Sequence, residues 1–442
     1  MQTTGLSLQD SPPIAIPLTF FLTAPLALAA AGGLIAWNGG EALATRWSPL
    51  TLALTHLGTL GFMTMIMLGA TYQMVAVVIG SPVPWPRLAY AVHGLFTLGV
   101  VLFCGGVAGS QATAVFIAII PLTFGVLAFL VPVGIALGRG RSQNVTSIGI
   151  RLALLCFLFT AVLGIWMAHG FGGMRFPGSR PLWSQVHLSV ALLGWVGGLI
   201  VAVSWQVLPM FYLARRIPTA HSWTAQILTG LGALLPLLVL VSAHALPTTT
   251  TSGATHNDLA AAAALPAILA VWFLHPAICL RNLAGRKRKR VDWSLRFWQL
   301  GLGTAPMVGA AAFAAYFLAD PKWDLLFGWL ALFGWAGTII HGMLTRIVPF
   351  LVWLHRFAPR IGEIRVPSVK KILPDPLVQR GFVLHIVTLG LGIAAILSGT
   401  DWLARCTGAS MALTALALAH MLVHVARQGP ERHGLMSGPP VA

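Results

Sequence analysis

Residues 183–212 read WSQVHLSVALLGWVGGLIVAVSWQVLPMFY, an unbroken stretch without aspartate, glutamate, lysine or arginine. Because an α-helix rises about 1.5 Å per residue, about 20 apolar residues cross a hydrocarbon core about 30 Å thick. The stretch is therefore long enough and apolar enough to cross a membrane as a helix. It lacks the strict alternation of polar and apolar residues that is typical of a membrane β-barrel strand.

Apolar runs of the same kind recur along the whole chain. The sequence has 442 residues, of which 57% are hydrophobic and 8% charged, and its mean hydropathy is +0.84. Such a composition leaves too little polar surface to cover a water-soluble globule. We therefore predict an all-α polytopic membrane protein, a single transmembrane domain over residues 1–442 that ends in a polar cytoplasmic tail at 426–442. The predicted helices, about twelve, are 16–36, 50–79, 87–107, 112–137, 148–170, 183–212, 223–243, 259–281, 295–318, 323–355, 380–398 and 402–425.

The formal charge of +17 resides almost wholly in the connections between the apolar runs. Basic residues concentrate after the even-numbered helices, so the positive-inside rule places those connections and both chain termini in the cytoplasm of a bacterial-type inner membrane. This distribution points to the lipid bilayer as the partner and argues against nucleic-acid binding. The run RNLAGRKRKR at 281–290 has two interpretations, a topology signal or a site that attracts anionic lipid, and the first is favoured.

Three of the long helices carry related strings: ATYQMVAV at 70–77, VSWQVLPM at 203–210 and MLTRIVPF at 343–350. A hydrogen-bonding Gln or Arg occupies the same place in each, and a glycine-aromatic pair precedes each at a similar distance. This recurrence predicts three pseudo-repeated four-helix units, at about 16–137, 148–281 and 295–425. The aligned polar residues are Gln73, Gln206 and Arg346, and the glycine-aromatic pairs are Gly61-Phe62, Gly194-Trp195 and Gly334-Trp335.

Histidines inside apolar helices are the candidate ligands, because an ionisable side chain in a membrane needs a partner and neutral imidazole binds transition metals. His56 and His187 lie near the predicted periplasmic ends of the second and sixth helices, at about the same distance from Gln73 and Gln206. His341 of the tenth helix lies deeper, only five residues before Arg346. Arg346 has three interpretations: it pairs with a haem propionate, binds another anion, or reaches the interface.

The architecture and two strings resemble the catalytic subunit of haem-copper oxidases and nitric oxide reductases, and the NnrS-type relatives of that superfamily. The strings are HLGTLGFMTMIMLGATYQ at 56–73 and HLSVALLGWVGGLIVAVSWQ at 187–206. The resemblance implies haem b and copper as cofactors, with His56 a low-spin haem ligand, His187 a copper ligand and His341 a further haem ligand. If one haem binds near the periplasmic face, His56 with His187 is the better geometric pair.

Several positions depart from the oxidase pattern. Ala191 stands where a tyrosine is expected four residues after the histidine of the sixth helix, and the expected His-His pair of the seventh helix is absent. These departures argue against a proton-pumping oxygen reductase. If the protein is an enzyme, the resemblance implies an oxidoreductase of the haem-copper type.

We therefore expect a haem-binding membrane protein, with copper as an expected second metal, that handles nitric oxide or another diatomic gas or relays electrons beside respiratory electron-donor subunits. Two alternatives stay open. One is a transporter or channel in which Gln73, Gln206 and Arg346 line a polar path. The other is a non-catalytic subunit of a membrane complex.

Overall fold

The computed structural model of the protein describes residues 11–170, 179–245, 255–287, 291–364 and 366–430. Within these ranges twelve helices are long and apolar enough to cross a membrane, so the predicted all-α polytopic fold is confirmed. The predicted tail from residue 431 onward and the basic residues 288–290 lie outside the described ranges. The helices are α1 Ala15–Leu43, α2 Pro49–Ile79, α3 Leu88–Ala108, α4 Ala112–Arg139, α5 Val145–His169, α6 Arg180–Tyr212, α7 Thr219–Ala243, α8 His256–Ala284, α9 Trp293–Phe317, α10 Pro321–Arg360, α11 Asp375–Ser398 and α12 Asp401–Ala426.

Polar residues in the connections define several helix starts. Ser48 accepts a hydrogen bond from the Thr51 backbone N–H at 3.1 Å, and Pro49 follows it as the first residue of α2. At α8, Thr255 and Asp258 form a reciprocal capping box. Such caps satisfy backbone donors that have no partner inside the helix, so the boundaries follow from local sequence.

π-Helical segments occur in α2, α6, α8 and α10. Those that precede the repeated strings are Leu57–Thr64 of α2, Ser189–Gly197 of α6 and Leu330–Gly337 of α10. Each segment contains the glycine-aromatic pair of its helix and begins at the same distance, to within one residue, before Gln73, Gln206 or Arg346. π-Helical turns are rare and occur frequently at functional sites. The three segments thus follow the register of the predicted repeat, although the repeat itself stays a prediction.

These same three helices are the most deeply buried. In α2, 89% of the most apolar 18-residue window is buried inside the protein, and in α6 and α10 the share is 78%. In the other nine helices within the described ranges the share is 33 to 50%. The helices that carry the repeated strings are therefore the inner ones. The other nine have more of their side chains exposed, as expected of helices that face lipid.

The contacts divide the chain into two compact units. The central unit is drawn from Met74–Lys289 and Leu302–Phe317, and the terminal unit from Pro12–Gln73, Arg290–Gly301 and Leu318–Ala442. The boundaries fall inside α2 and α9. Of the predicted ligands, His56 and His341 belong to the terminal unit and His187 to the central unit.

In the terminal unit α1 packs along α12, and α12 packs along α11. Gly408 of α12 allows the close approach to α1, since a Cβ there would lie 2.2 Å from the backbone nitrogen of Ala36. Small residues at helix contacts are typical of membrane bundles. This packing holds α1, α11 and α12 together around the site described next.

Candidate functional site

A cavity in the terminal unit is bounded by α1, α2, α10, α11 and α12. Its empty volume, which includes the open space at its mouth, is about 940 Å³. Two histidines, His341 and His385, are among its lining residues. The remaining wall is largely apolar and includes Leu28, Ile35, Leu54, Phe62, Trp329, Leu332 and Met411.

His385 of α11 presents an unpaired nitrogen in this apolar setting. Its Nε2 lies 2.7 Å from the hydroxyl oxygen of Thr338 on α10. That hydroxyl has one proton and lies 2.6 Å from the Gly334 carbonyl and 3.0 Å from the Phe333 carbonyl, so the proton goes to a carbonyl. The Thr338 oxygen therefore accepts from Nε2–H, a tautomer assigned from the hydrogen-bond network.

In this tautomer the Nδ1 of His385 carries a bare lone pair. The side chain is 2% exposed, and Nδ1 has no hydrogen-bond partner among the described residues. A buried acceptor without a partner costs about 1–3 kcal/mol. A lone pair of this kind is a suitable ligand for a metal or an acceptor for a donor group of a bound molecule.

The π-helical segment of α10 explains the position of Thr338. Leu330–Gly337 ends immediately before Thr338, and the widened turn leaves the Phe333 and Gly334 carbonyls within reach of its hydroxyl. A threonine at this point can satisfy a carbonyl and at the same time accept from a neighbouring helix. The local sequence of α10 therefore prepares the partner of His385.

Aromatic rings hold the plane of the His385 imidazole. Phe333 stacks on it at 4.3 Å and 10°, and Trp329 stacks on Phe333 at 4.8 Å. The Trp329 indole N–H donates to the Leu389 carbonyl at 3.1 Å. Gly392 makes room for Trp329, because a Cβ there would lie 2.1 Å from the indole Cε2.

His341 of α10 lies beside His385, with ring centroids 5.5 Å apart and planes nearly perpendicular. The residue is 2% exposed, and its ring packs on Phe297 at 4.4 Å. Gly381 of α11 leaves space at its Nε2, since a Cβ there would lie 3.4 Å away. The fold thus brings two buried imidazoles together in one cavity.

An ion pair lies at the mouth of the cavity. Arg46, in the connection between α1 and α2, contacts Asp324 of α10 at 3.1 Å, and both residues line the cavity. Their side chains are 45% and 26% exposed. Because an exposed ion pair contributes little stability, it can exchange one partner for a charged group of a bound molecule at low cost.

His56 lies on α2 next to residues of the cavity wall, but it does not itself line the cavity. Its neighbours Thr55 and Gly58 line the cavity, whereas His56 is not among the lining residues. Its Nδ1 lies 2.7 Å from the Leu52 carbonyl of the preceding turn. A histidine with that bond has Nε2 as the nitrogen suited to a ligand, so its role as a haem ligand stays a prediction.

His187 is a residue of α6 in the central unit. Gly164 of α5 faces it, since a Cβ there would lie 3.1 Å from its Cε1. The neighbouring residues Trp183, Val186 and Val190 form part of an apolar core cluster. Copper ligation by His187 stays a prediction, as does its pairing with His56.

The three aligned polar residues have different surroundings. Gln73 is buried and Gln206 half-buried. Arg346 forms an ion pair with Asp292, with side chains 17% and 10% exposed. The carboxylate that pairs with Arg346 therefore comes from the chain itself. The sequence analysis did not predict this pair, because Asp292 has the position of an ordinary helix cap at the start of α9.

A third buried imidazole, His275 of α8, lies in the central unit. Its Nε2 is 2.7 Å from the Ser204 hydroxyl, which donates to the Val201 carbonyl at 2.7 Å. Neither His275 nor His385 is among the ligands predicted from the sequence, yet the structure buries both completely or almost completely. Each has a hydroxyl partner on another helix, Ser204 or Thr338, and the sequence pattern does not show such a pairing.

Within the described ranges, no three His, Cys, Asp or Glu side chains come together as a metal site. The sequence matches no protein-family model and no curated protein at a significant level.

Proposed function

We propose that this integral membrane protein binds a haem in the cavity of the terminal unit. The observation that carries the proposal is His385, which lines a largely apolar cavity and whose buried Nδ1 has no hydrogen-bond partner among the described residues. Imidazole is the commonest protein ligand of haem iron, and an apolar cavity suits the macrocycle. Arg46 at the mouth is a cation that suits the acidic groups of haem.

One imidazole is enough to hold a haem, and His385 is the one whose Nδ1 has no hydrogen-bond partner among the described residues. His341 and His385 are 5.5 Å apart and nearly perpendicular, with Phe297 against both rings. His385 would hold the group, and His341 would border the opposite part of the cavity.

A haem held by one imidazole has an open coordination position, which binds diatomic gases. The residues of the chain then act on the bound molecule. Thr338 fixes the His385 tautomer, Phe333 fixes its plane, and the apolar wall excludes water. His341 can accept a hydrogen bond from the gas or donate one to it. Binding of nitric oxide or a similar gas therefore suits this cavity better than electron relay alone.

The test is a reduced-minus-oxidised optical spectrum of the purified protein with iron analysis. We expect haem bands with about one iron per chain. His385→Ala should abolish them, and His341→Ala should retain haem but change gas binding. His169→Ala, which removes a half-buried histidine bonded only to its own helix among the contacts described, is the matched control. Protein without bands or iron, or equal spectra from all three variants, would contradict the proposal.

The ion pair at the cavity mouth favours a second candidate, a transporter of a small molecule that enters past Arg46 and Asp324. In that case His341 and His385 would be hydrogen-bonding groups for the cargo. Haem-free protein in which Asp324→Asn changes uptake into proteoliposomes would support this alternative.

A further inference from the structure

Two connections that are distant in sequence meet in the central unit. The side-chain amide of Asn282, near the end of α8, donates to the Arg215 carbonyl at 2.6 Å. The backbone N–H of Lys287 donates to the Leu213 carbonyl at 3.1 Å. The connection after α6 is therefore joined to the one after α8, and their basic residues lie in one region.

Four of these basic residues are exposed: Arg215, Arg216, Arg281 and Lys287. None of the four forms an ion pair within the described part of the chain, where the carboxylates that pair do so with other cations. Arg286 differs, since it is buried and its guanidinium donates to the Leu283 carbonyl at 2.9 Å. Concentrated positive charge without a counter-charge needs an anion from outside the chain.

The position of these cations indicates what the anion is. Arg215 and Arg216 follow Tyr212, the last residue of α6, whereas Arg281 lies in the last turn of α8 and Lys287 follows its end at Ala284; both helices are apolar enough to cross a membrane. An exposed apolar side chain adjoins them in the chain, since Leu213 is 54% exposed. Cations beside exposed apolar groups at a helix end match a phospholipid, which offers phosphate and acyl chain together.

We propose that Arg215, Arg216, Arg281 and Lys287, here called the basic face, bind the phosphate headgroup of an anionic phospholipid. Arginine holds phosphate through paired N–H donors, and lysine adds a compact charge. The sequence favoured the topology function of run 281–290 alone. The structure shows that the α6–α7 connection is hydrogen-bonded to this run. A topology signal does not require such a contact.

The test counts bound lipid by native mass spectrometry in detergent, with phosphatidylglycerol as the probe. The other arms use phosphatidylcholine and inorganic phosphate. We expect saturable binding of phosphatidylglycerol, and the variant R215Q/R216Q/R281Q/K287Q should weaken it about tenfold or more, because each cation near an anionic headgroup strengthens binding several-fold. The matched control R139Q/K370Q/K371Q/R380Q removes four other exposed cations and should change binding less than about twofold.

Equal loss in both variants, or equal binding of phosphatidylcholine, would overturn the proposal. Saturation by inorganic phosphate at the same concentrations would assign the basic face to a free anion instead. If the fourfold variant does not fold, R215Q/K287Q removes one cation from each connection and should still weaken binding. Unchanged binding in that folded variant would also overturn the proposal.

Discussion

At the residue scale, the chemistry of the candidate site depends on one threonine. The Thr338 hydroxyl donates its proton to a carbonyl of its own helix and accepts a hydrogen bond from His385 Nε2. This second bond leaves Nδ1 without a hydrogen-bond partner among the described residues. The reactivity of the imidazole is therefore set from α10, not from its own helix α11.

We expect Thr338→Val to lower the free energy of unfolding by about 1–3 kcal/mol, because a buried N–H donor of His385 then lacks its acceptor. Thr407→Val is the control, since this buried hydroxyl donates only to the Leu403 carbonyl of its own helix among the bonds described. Unfolding in mixed micelles with SDS measures both variants. Equal losses would mean that the bond between α10 and α11 adds nothing.

At the element scale, α10 and α11 are brought together by their glycines and aromatic rings. Gly392 accepts the Trp329 indole against the backbone of α11, and Trp329 and Phe333 then stack toward His385. The π-helical segment supplies the carbonyls that orient Thr338. The site is therefore a product of how two helices pack.

Gly392→Ala should lower the free energy of unfolding by about 1–3 kcal/mol, because its Cβ would overlap the Trp329 ring in a packed contact. The same helix provides a matched control in Gly390→Ala. There a Cβ meets nothing within 4 Å, so the change should be neutral or stabilising by up to about 1 kcal/mol. The same SDS titration checks both, and a neutral Gly392→Ala would show that Trp329 can move away.

At the scale of the whole molecule, the chain forms two compact units, and each contains a hydroxyl-bonded imidazole. The terminal unit has Thr338 with His385, and the central unit has Ser204 with His275. The described cavity that contains His341 and His385 lies wholly in the terminal unit. The two units and the three predicted repeats divide the chain differently, since the terminal unit takes α1 from the first repeat and α10 to α12 from the third.

The positive-inside rule predicts which side each connection faces. Glu41→Cys, in the exposed last turn of α1, should react with a membrane-impermeant maleimide on intact cells. Gly285→Cys, also exposed, should react only after the membrane is opened. Of the native thiols, Cys104, Cys156 and Cys279 are buried but Cys406 is exposed, so both variants are made in a Cys406→Ser chain, which is also the control. The opposite labelling pattern would reverse the predicted orientation.

The sequence alone determined the helices, because hydropathy over about 20 residues decides whether a segment can cross a membrane. The predicted bounds of α6, for example, differ from the observed ones by only three residues at one end. The strings around Gln73, Gln206 and Arg346, which predict the repeat, occur in the three most buried of the described helices. These properties are local in sequence, so no knowledge of packing was needed.

The tertiary structure alone decided which polar side chains meet. His385 reads as one interfacial histidine among several, and only the packing of α10 on α11 gives it Thr338 as partner and His341 as neighbour. Asp292 likewise becomes the partner of Arg346 only in the folded chain. A hydrogen bond or ion pair depends on distances of about 3 Å between residues far apart in sequence, and a hydropathy pattern does not encode such distances.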